Sequence, residues 1–159
     1  MSLIRVVWGS ASAPTAMASY DAALAEAGIE NYNLVSVSSV IPADVDVEAV
    51  GTAPDLGPAG ERLTVVESRA TTAGPGRVSA SLAWSQSADD GPGLFYEVAG
   101  ETGREDVERR VREGLAAGQE LRDWPFTEPH VAVESSQAES GAYTTALVVA
   151  VYGESEPIL

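Results

Sequence analysis

The sequence predicts a mixed α+β domain in which two main helices pack against a largely antiparallel β-sheet. Strand-like apolar runs dominate the chain, and two of them, residues 62–72 and 77–86, are joined by the turn sequence Ala73-Gly74-Pro75-Gly76. Two segments with helical spacing lie before and after this hairpin. The 159 residues contain no internal repeat and no linker, so we expect a single domain over residues 1–159.

The first third of the chain is expected to begin with strand, loop and helix. Residues 3–8 predict a short buried strand, and residues 9–14 predict a loop of small residues. Residues 15–27 predict a helix that begins after Ser12 as its cap and ends at Gly28.

The next segments alternate between strand and connection. Residues 33–39 predict a strand, which Pro42 ends, and residues 43–60, rich in proline, glycine and acidic residues, predict an irregular connection. After the hairpin, residues 93–98 predict another short strand.

The last third predicts a helix followed by two strands. Residues 104–117 carry an apolar stripe at helical spacing, and Thr102 and Glu105 have the spacing of a capping box. Residues 131–134 and 143–152 predict the closing strands, and the second is so apolar that we expect it in the middle of a sheet.

The charge composition argues against two classes of partner. The chain has 24 acidic and nine basic residues, a formal net charge of -15. Such a charge repels nucleic acid and anionic membranes, so neither is expected as a partner. We interpret the acidic surplus as adaptation to a high-salt cytoplasm, because salt shortens the range over which like charges repel.

Missing residue types exclude several kinds of chemistry. All nine basic residues are arginine, so a lysine-bound pyridoxal phosphate and a Walker-type phosphate loop are excluded. The chain has no cysteine and shows no signal peptide, and we therefore expect a cytoplasmic protein without disulfides. The single histidine, His130, is typical of a strand end, so no metal site is expected.

The most informative segment is residues 33–42, Asn-Leu-Val-Ser-Val-Ser-Ser-Val-Ile-Pro. Taken alone, two serines before Val-Ile-Pro are typical of the polar end of a strand. The segment resembles the self-cleavage site of the pyruvoyl-dependent arginine decarboxylases, in which an Asn-Leu pair leads to Ser-Ser, an aliphatic residue and then a proline. The positions that carry the resemblance are Asn33, Leu34, Ser38, Ser39, Val40 and Pro42.

The resemblance extends to both sides of this segment. Residues 20–24 and 27–29 resemble the helix that precedes the family's cleavage strand, and residues 93–97 resemble a later strand that ends in a catalytic glutamate. It covers the chain from about residue 5 to residue 152. Residues 153–159 have no obvious counterpart.

The resemblance implies that this chain makes its own cofactor. The Ser39 hydroxyl would attack the Ser38 carbonyl, and elimination would separate residues 1–38 from residues 39–159 and leave a pyruvoyl group at position 39. Its keto group would condense with the substrate amine and accept electrons as carbon dioxide leaves. Asn33 resembles the residue that assists this processing, where its amide would hold the oxyanion or orient the peptide.

The resemblance also implies the remaining site residues. Glu97 resembles the proton donor, a role that needs a carboxyl whose pKa burial has raised. Asp21 resembles the residue that binds the substrate's guanidinium, and Leu24 belongs to the same substrate site on the helix. A carboxylate suits a guanidinium, which is a planar fork of donors.

The implied function is the conversion of L-arginine to agmatine and carbon dioxide in polyamine synthesis. The implied fold is an α/β sandwich that assembles as a homotrimer with active sites between subunits. Two alternatives stay open: a pyruvoyl decarboxylase of another basic amino acid such as histidine, and an uncleaved trimeric relative that binds a cationic amine through Asp21 and Glu97.

Overall fold

The computed structural model describes residues 2–159, which form nine strands and two helices. The first helix follows the first strand, and the second helix follows the seventh strand. Their bounds are β1 Ser2–Ala13, α1 Ala16–Ala27, β2 Asn33–Ser36, β3 Val40–Ile41, β4 Val45–Gly51, β5 Arg62–Thr72, β6 Gly76–Gln86, β7 Gly93–Gly100, α2 Arg104–Glu120, β8 His130–Ala138 and β9 Tyr143–Glu156.

The strands form two sheets that pack face to face. One sheet has five strands in the order β2-β5-β9-β1-β4, and the other has four in the order β3-β7-β6-β8. Among the strands of residues 2–159, only the pairs β1 with β4 and β2 with β5 are parallel. The predicted largely antiparallel α+β class is therefore confirmed, and the arrangement is an α/β sandwich.

Alternating residues of each strand fill separate cores, because successive side chains of a strand point to opposite faces. The core between the sheets contains Val6, Val66 and Val148 from the five-stranded sheet and Val78, Leu82 and Phe95 from the four-stranded sheet. Helix α1 covers the outer face of the five-stranded sheet. Helix α2 covers the other outer face through the predicted stripe, with Val111 and Leu115 against Ala83 and Leu94.

The start of the chain corrects two predictions. Residues 9–14 do not form a loop, since β1 continues to Ala13 and pairs with β9 along that length. The small residues serve another purpose, because a Cβ atom on Gly9 would lie 2.5 Å from the Ala23 carbonyl oxygen of α1. Helix α1 is capped by the Thr15 hydroxyl rather than by Ser12, and it ends at Gly28 as predicted.

The predicted irregular connection over residues 43–60 was partly wrong. Val45–Gly51 forms β4, which pairs in parallel with β1 at the sheet edge. Val45 and Val47 pack against the inter-sheet core, while Asp46 and Glu48 are exposed. The acidic residues on the solvent side hid an alternating pattern that is typical of an edge strand.

The final elements agree with the predictions in type but differ in extent. Helix α2 runs to Glu120, and the predicted capping box is wrong because Gly103 is the N-cap and supplies no side-chain hydrogen bond. Strand β8 runs from His130 to Ala138. Strand β9 reaches Glu156 and occupies the centre of its sheet, as its apolar sequence predicted.

Candidate active site

Ser38 and Ser39 lie where the chain crosses from one sheet to the other. The Val37 N–H donates to the Val65 carbonyl of β5 at 3.0 Å, and the Phe95 N–H of β7 donates to the Ser39 carbonyl at 2.8 Å. The strand predicted over residues 33–39 is therefore shorter, since β2 ends at Ser36. The crossing leaves the two serines outside any regular strand.

Three consecutive carbonyl groups at this crossing each accept a hydrogen bond. The Val40 N–H donates to the Ser38 carbonyl at 2.9 Å, which closes a three-residue γ-turn around Ser39. The Phe95 N–H holds the Ser39 carbonyl, and the Tyr152 hydroxyl donates to the Val40 carbonyl at 2.9 Å. The Ser38 carbonyl carbon, the atom that a Ser39 hydroxyl would attack, is thus polarised by an N–H group.

A small cavity opens onto the two serines. Its volume is about 260 Å³, below the range of about 300–1,000 Å³ that is usual for drug-sized ligands, so it suits a small molecule. It is lined by the crossing, by the start of β7 and by the residues that follow α2: Ser38, Ser39, Val40, Leu94, Phe95, Tyr96, Leu121 and Arg122.

Glu97 lies on β7 two residues beyond Phe95. It shares the inner face of the four-stranded sheet with Phe95, as strand alternation requires. The Ser68 hydroxyl of β5 donates to the Val98 carbonyl at 3.3 Å and ties the two strand edges together beside Glu97. Glu97 remains an exposed residue in the single chain, yet burial raises the pKa of its carboxyl and the charge of Glu67 raises it further.

Glu67 is held by two side chains on the outer side of its sheet. The Tyr20 hydroxyl donates to the Glu67 carboxylate at 2.7 Å, and the Arg69 Nε lies 3.7 Å from the same carboxylate. The Arg69 guanidinium also lies 4.1 Å from the centre of the Tyr20 ring. Burial and the bond to Glu67 raise the pKa of Tyr20, so its hydroxyl stays a donor.

The Asn33 side chain is directed to a neighbouring loop. Its amide donates to the Gly60 carbonyl at 2.8 Å, and its backbone N–H donates to the Glu61 carbonyl at 2.9 Å. A regular strand over the predicted residues 33–39 would place Asn33 and Ser39 on one face. Because β2 ends at Ser36, that argument no longer holds.

Asp21 and Leu24 lie on α1, away from the crossing. The helix packs mainly on β1 and β9, and Leu24 is 7% exposed in the core that the helix shares with its sheet. Asp21 is exposed to solvent. Within one chain Ser38 and Ser39 line the cavity, and Glu97 lies on the adjacent strand β7 without lining it. Asp21 and Leu24 lie on α1 and do not line it either.

Tyr152, Glu67 and the Phe95 N–H were not predicted from the sequence as parts of this site. Tyr152 stood at the end of an apolar strand, and Glu67 was one carboxylate among many in an acidic chain. Their positions depend on which strand edges face each other across the sandwich, and a backbone N–H has no signature in a sequence.

Metal-binding groupings and membrane-spanning helices are both absent from the described part of the chain. Among residues 2–159, no three or more histidine, cysteine, aspartate or glutamate side chains are grouped as a metal site would require. None of the helices in that range combines the length and apolar character needed to span a bilayer.

Comparison with known proteins identifies the class of this fold and site. The family model described as "Pyruvoyl-dependent arginine decarboxylase (PvlArgDC)" matches residues 3–157. The match includes most of residues 153–159, for which no counterpart was expected. Fold and crossing therefore define an enzyme of the pyruvoyl-dependent decarboxylase class.

Individual relatives support the same assignment. A pyruvoyl-dependent arginine decarboxylase of Halobacterium salinarum is 57% identical over 158 residues, which cover 99% of this chain and 98% of the relative. The proteins of that name from Pyrococcus horikoshii and Methanocaldococcus jannaschii are 35% and 29% identical and cover 88% and 87% of this chain, and 89% and 83% of their own length. The chain belongs to the pyruvoyl-dependent arginine decarboxylase family, and the resemblance is confirmed.

Proposed function

We propose that this chain decarboxylates L-arginine to agmatine and carbon dioxide with a pyruvoyl group that it makes from Ser39. The observation that carries the proposal is the crossing itself, where the Ser38 carbonyl accepts the Val40 N–H inside a turn centred on Ser39. Family membership and the names of the relatives support the substrate.

Formation of the pyruvoyl group would begin with conversion of the Ser38–Ser39 amide bond into an ester. The Ser39 hydroxyl oxygen attacks the Ser38 carbonyl carbon, and the C–N bond breaks as nitrogen takes a proton, so the chain is joined by an ester. The Val40 N–H stabilises the charge that develops on the Ser38 oxygen. Asn33 would assist by fastening the start of β2 to the Gly60 carbonyl.

Elimination then separates the chain into residues 1–38 and 39–159. The α-proton of residue 39 leaves and its Cβ–O bond breaks, so Ser38 departs as a carboxylate. Water replaces the nitrogen of the unsaturated residue 39, ammonia leaves, and a pyruvoyl group remains. One water is consumed and one ammonia is released.

The residues around position 39 suit such a group. Its amide carbonyl would be the former Ser39 carbonyl, which the Phe95 N–H holds from within the larger piece. The pyruvoyl group supplies the carbonyl that accepts electrons when carbon dioxide leaves. Glu97 is the proposed proton donor, because its raised pKa keeps the carboxyl protonated to higher pH than usual.

We also propose that the site is shared between the subunits of a homotrimer. Asp21, the proposed guanidinium ligand, lies apart from Ser39 within one chain, and Leu24 is covered by the sheet beneath its helix. Val35, Val37 and Val40 beside the scissile bond are 41%, 42% and 43% exposed, which supports a neighbouring subunit against this edge. A neighbour's helix could then bring Asp21 to the site.

The proposal extends to the conditions in which the protein works. The net charge of -15 and the similarity to the Halobacterium salinarum protein support a high-salt environment. We propose a cytoplasmic location because the chain has no cysteine, and a role in polyamine synthesis because the proposed product is agmatine. The acidic charge disfavours nucleic acid as a partner.

The intact masses of the purified, denatured protein test the proposed processing. We expect two pieces, residues 1–38 and a pyruvoyl-ended 39–159, whose masses sum to the precursor plus one water minus one ammonia. A single uncut mass would instead favour the alternative in which a trimeric relative binds a cationic amine without cleaving. Hydrolysis without loss of ammonia would contradict pyruvoyl formation.

A second experiment tests the substrate. The cleaved protein is incubated separately with arginine, histidine, lysine and ornithine at high salt, and each amine product is detected by mass spectrometry. We expect agmatine from arginine at the highest kcat/KM. Preferred formation of histamine would support the alternative of a pyruvoyl decarboxylase with another basic substrate.

A further inference from the structure

The Tyr152 side chain reaches across the sandwich to the crossing segment. Tyr152 belongs to β9 in the centre of the five-stranded sheet, whereas its hydroxyl donates to the carbonyl of Val40 in β3, a strand of the other sheet. The ring lies 6.2 Å from the Phe95 ring at an angle of 58°, a tilted contact that orients the side chain. Burial raises the pKa of Tyr152 to about 12, so the hydroxyl remains a donor at neutral pH.

This bond completes a set of contacts on a single residue. Val40 is the residue whose N–H polarises the Ser38 carbonyl, and its own carbonyl is the one that Tyr152 holds. The peptide between Ser39 and Val40 is held separately by the Phe95 N–H. If Val40 rotated, its N–H would leave the Ser38 oxygen and the turn around Ser39 would open.

The hydrogen bonds that Phe95 and Tyr152 donate to this segment also bear on the mature protein. Val40, Phe95 and Tyr152 all belong to residues 39–159, so their contacts do not depend on the peptide bond that cleavage removes. After cleavage, position 39 becomes a chain end. Such an end is mobile unless hydrogen bonds or packing hold it in place.

We propose that Tyr152 is a positioning residue for self-cleavage, and that it keeps position 39 in place after cleavage. The inference rests on the proposed function. It concerns a residue whose hydroxyl contacts the Val40 carbonyl rather than the attacked Ser38 carbonyl, and that acts through Val40.

The test uses Tyr152→Phe, which keeps the ring contact with Phe95 and removes only the hydroxyl. Tyr143→Phe is the matched control, because it makes the same chemical change at the other end of β9, where Tyr143 pairs with Ala13. Freshly synthesised chains are incubated at high salt, and uncut and cut masses are followed with time. We expect Tyr152→Phe to cleave about tenfold more slowly, the effect of losing one ordinary hydrogen bond, and Tyr143→Phe to cleave at the native rate.

Two further measurements separate positioning from a general loss of stability. In a Ser39→Ala background, which cannot cleave, Tyr152→Phe should speed hydrogen exchange at the Val40 amide while leaving the amides of the β6–β7 pair protected. In fully cleaved Tyr152→Phe protein, kcat per titrated keto group should be severalfold lower than in the native protein, while KM stays within twofold of the native value.

Each outcome decides between the two proposals. If the native chain cleaves and Tyr152→Phe cleaves at the same rate, the role of Tyr152 is overturned while the proposed function stands. Equal slowing of cleavage in both tyrosine variants would have the same meaning. A native chain that stays uncut would overturn the proposed function and this inference with it.

Discussion

Glu67 and Glu97 occupy corresponding positions on the two strand edges that the crossing segment joins. Glu67 lies two residues beyond Val65, which accepts the bond from Val37, and Glu97 lies two residues beyond Phe95, which holds Ser39. The next residue on each strand takes part in the hydrogen bond from Ser68 to Val98. The charge of Glu67 reaches Glu97 from the neighbouring strand and raises the pKa of its carboxyl.

Removing the Glu67 charge should change the pH dependence of the reaction. In Glu67→Gln the pKa of Glu97 should fall, because one of the two causes that raise it is gone. A protonated Glu97 is needed as the donor, so the alkaline limb of the kcat profile should move to lower pH. The groups behind Glu67, Tyr20 and Arg69, stay in place in this variant.

Glu113→Gln provides the matched control for that measurement, since it removes one negative charge from the exposed face of α2. Its pH profile should follow the native one. If both variants moved the alkaline limb equally, the effect would belong to net charge rather than to Glu67.

Replacing Glu97 itself should separate cleavage from turnover. We expect Glu97→Gln to yield the same two pieces as the native chain but to lose about a hundredfold or more in kcat, as is typical when a general acid is removed. Cut and uncut masses and agmatine formation are measured on the same sample. Near-native turnover would remove Glu97 from the mechanism.

The same variant has an effect on stability whose sign follows from the pKa. The folded protein raises the pKa of Glu97, so proton binding favours the folded state, and this contribution is lost as pH rises through the folded pKa. At neutral pH Glu97→Gln should therefore melt at a higher temperature than the parent. The difference should vanish below the unfolded pKa of about 4.3, and it is measured in a Ser39→Ala background. A lower melting temperature at neutral pH would contradict it.

The two serines at the crossing should respond differently to the loss of a hydroxyl. Ser39→Ala should stay full length and inactive while it folds and assembles normally, because alanine has no leaving group at Cβ. Ser38→Ala should still cleave, because Ser38 contributes its backbone carbonyl. Masses and size-exclusion chromatography check both variants, and a cut Ser39→Ala chain would refute the assigned site.

Asp21 allows a test of the shared site. Asp21→Asn should cleave normally and raise the KM for arginine by about tenfold or more, as expected when a buried guanidinium loses its charged partner. Subunits of Asp21→Asn and Glu97→Gln are then mixed, dissociated and reassembled.

In a site built from two neighbours, some mixed trimers contain one site with both native residues, so activity should exceed the sum of the parents. In the control, Asp21→Asn subunits are mixed with subunits that carry both Asp21→Asn and Ser39→Ala. This mixture should give no gain, because none of its subunits has a native Asp21. Absence of any gain in the first mixture would place the whole site within one chain.

Much of the fold could be predicted because local patterns decided it. The hairpin turn at Gly74, the apolar stripe of α2 and the apolar run of β9 each correspond to the structure. Strand β4 was missed because acidic residues alternate with its valines, and the extension of β1 was missed because small residues were interpreted as a loop. In both cases pairing with another strand determined the conformation, and this pairing leaves little trace in local composition.

The chain by itself determined the chemistry that is available. It has two adjacent serines before Val-Ile-Pro, no lysine that could hold pyridoxal phosphate as an alternative cofactor, and carboxylates spaced along the sequence. Only the tertiary structure decided how these groups meet. Ser39 is held because Phe95 and Tyr152, which lie 56 and 113 residues further along the chain, come from opposite sheets to the same edge. Side-chain chemistry is a property of each residue, whereas a hydrogen bond across a sandwich exists only after both sheets have packed, and this is why the sequence could name Ser39 but not Tyr152.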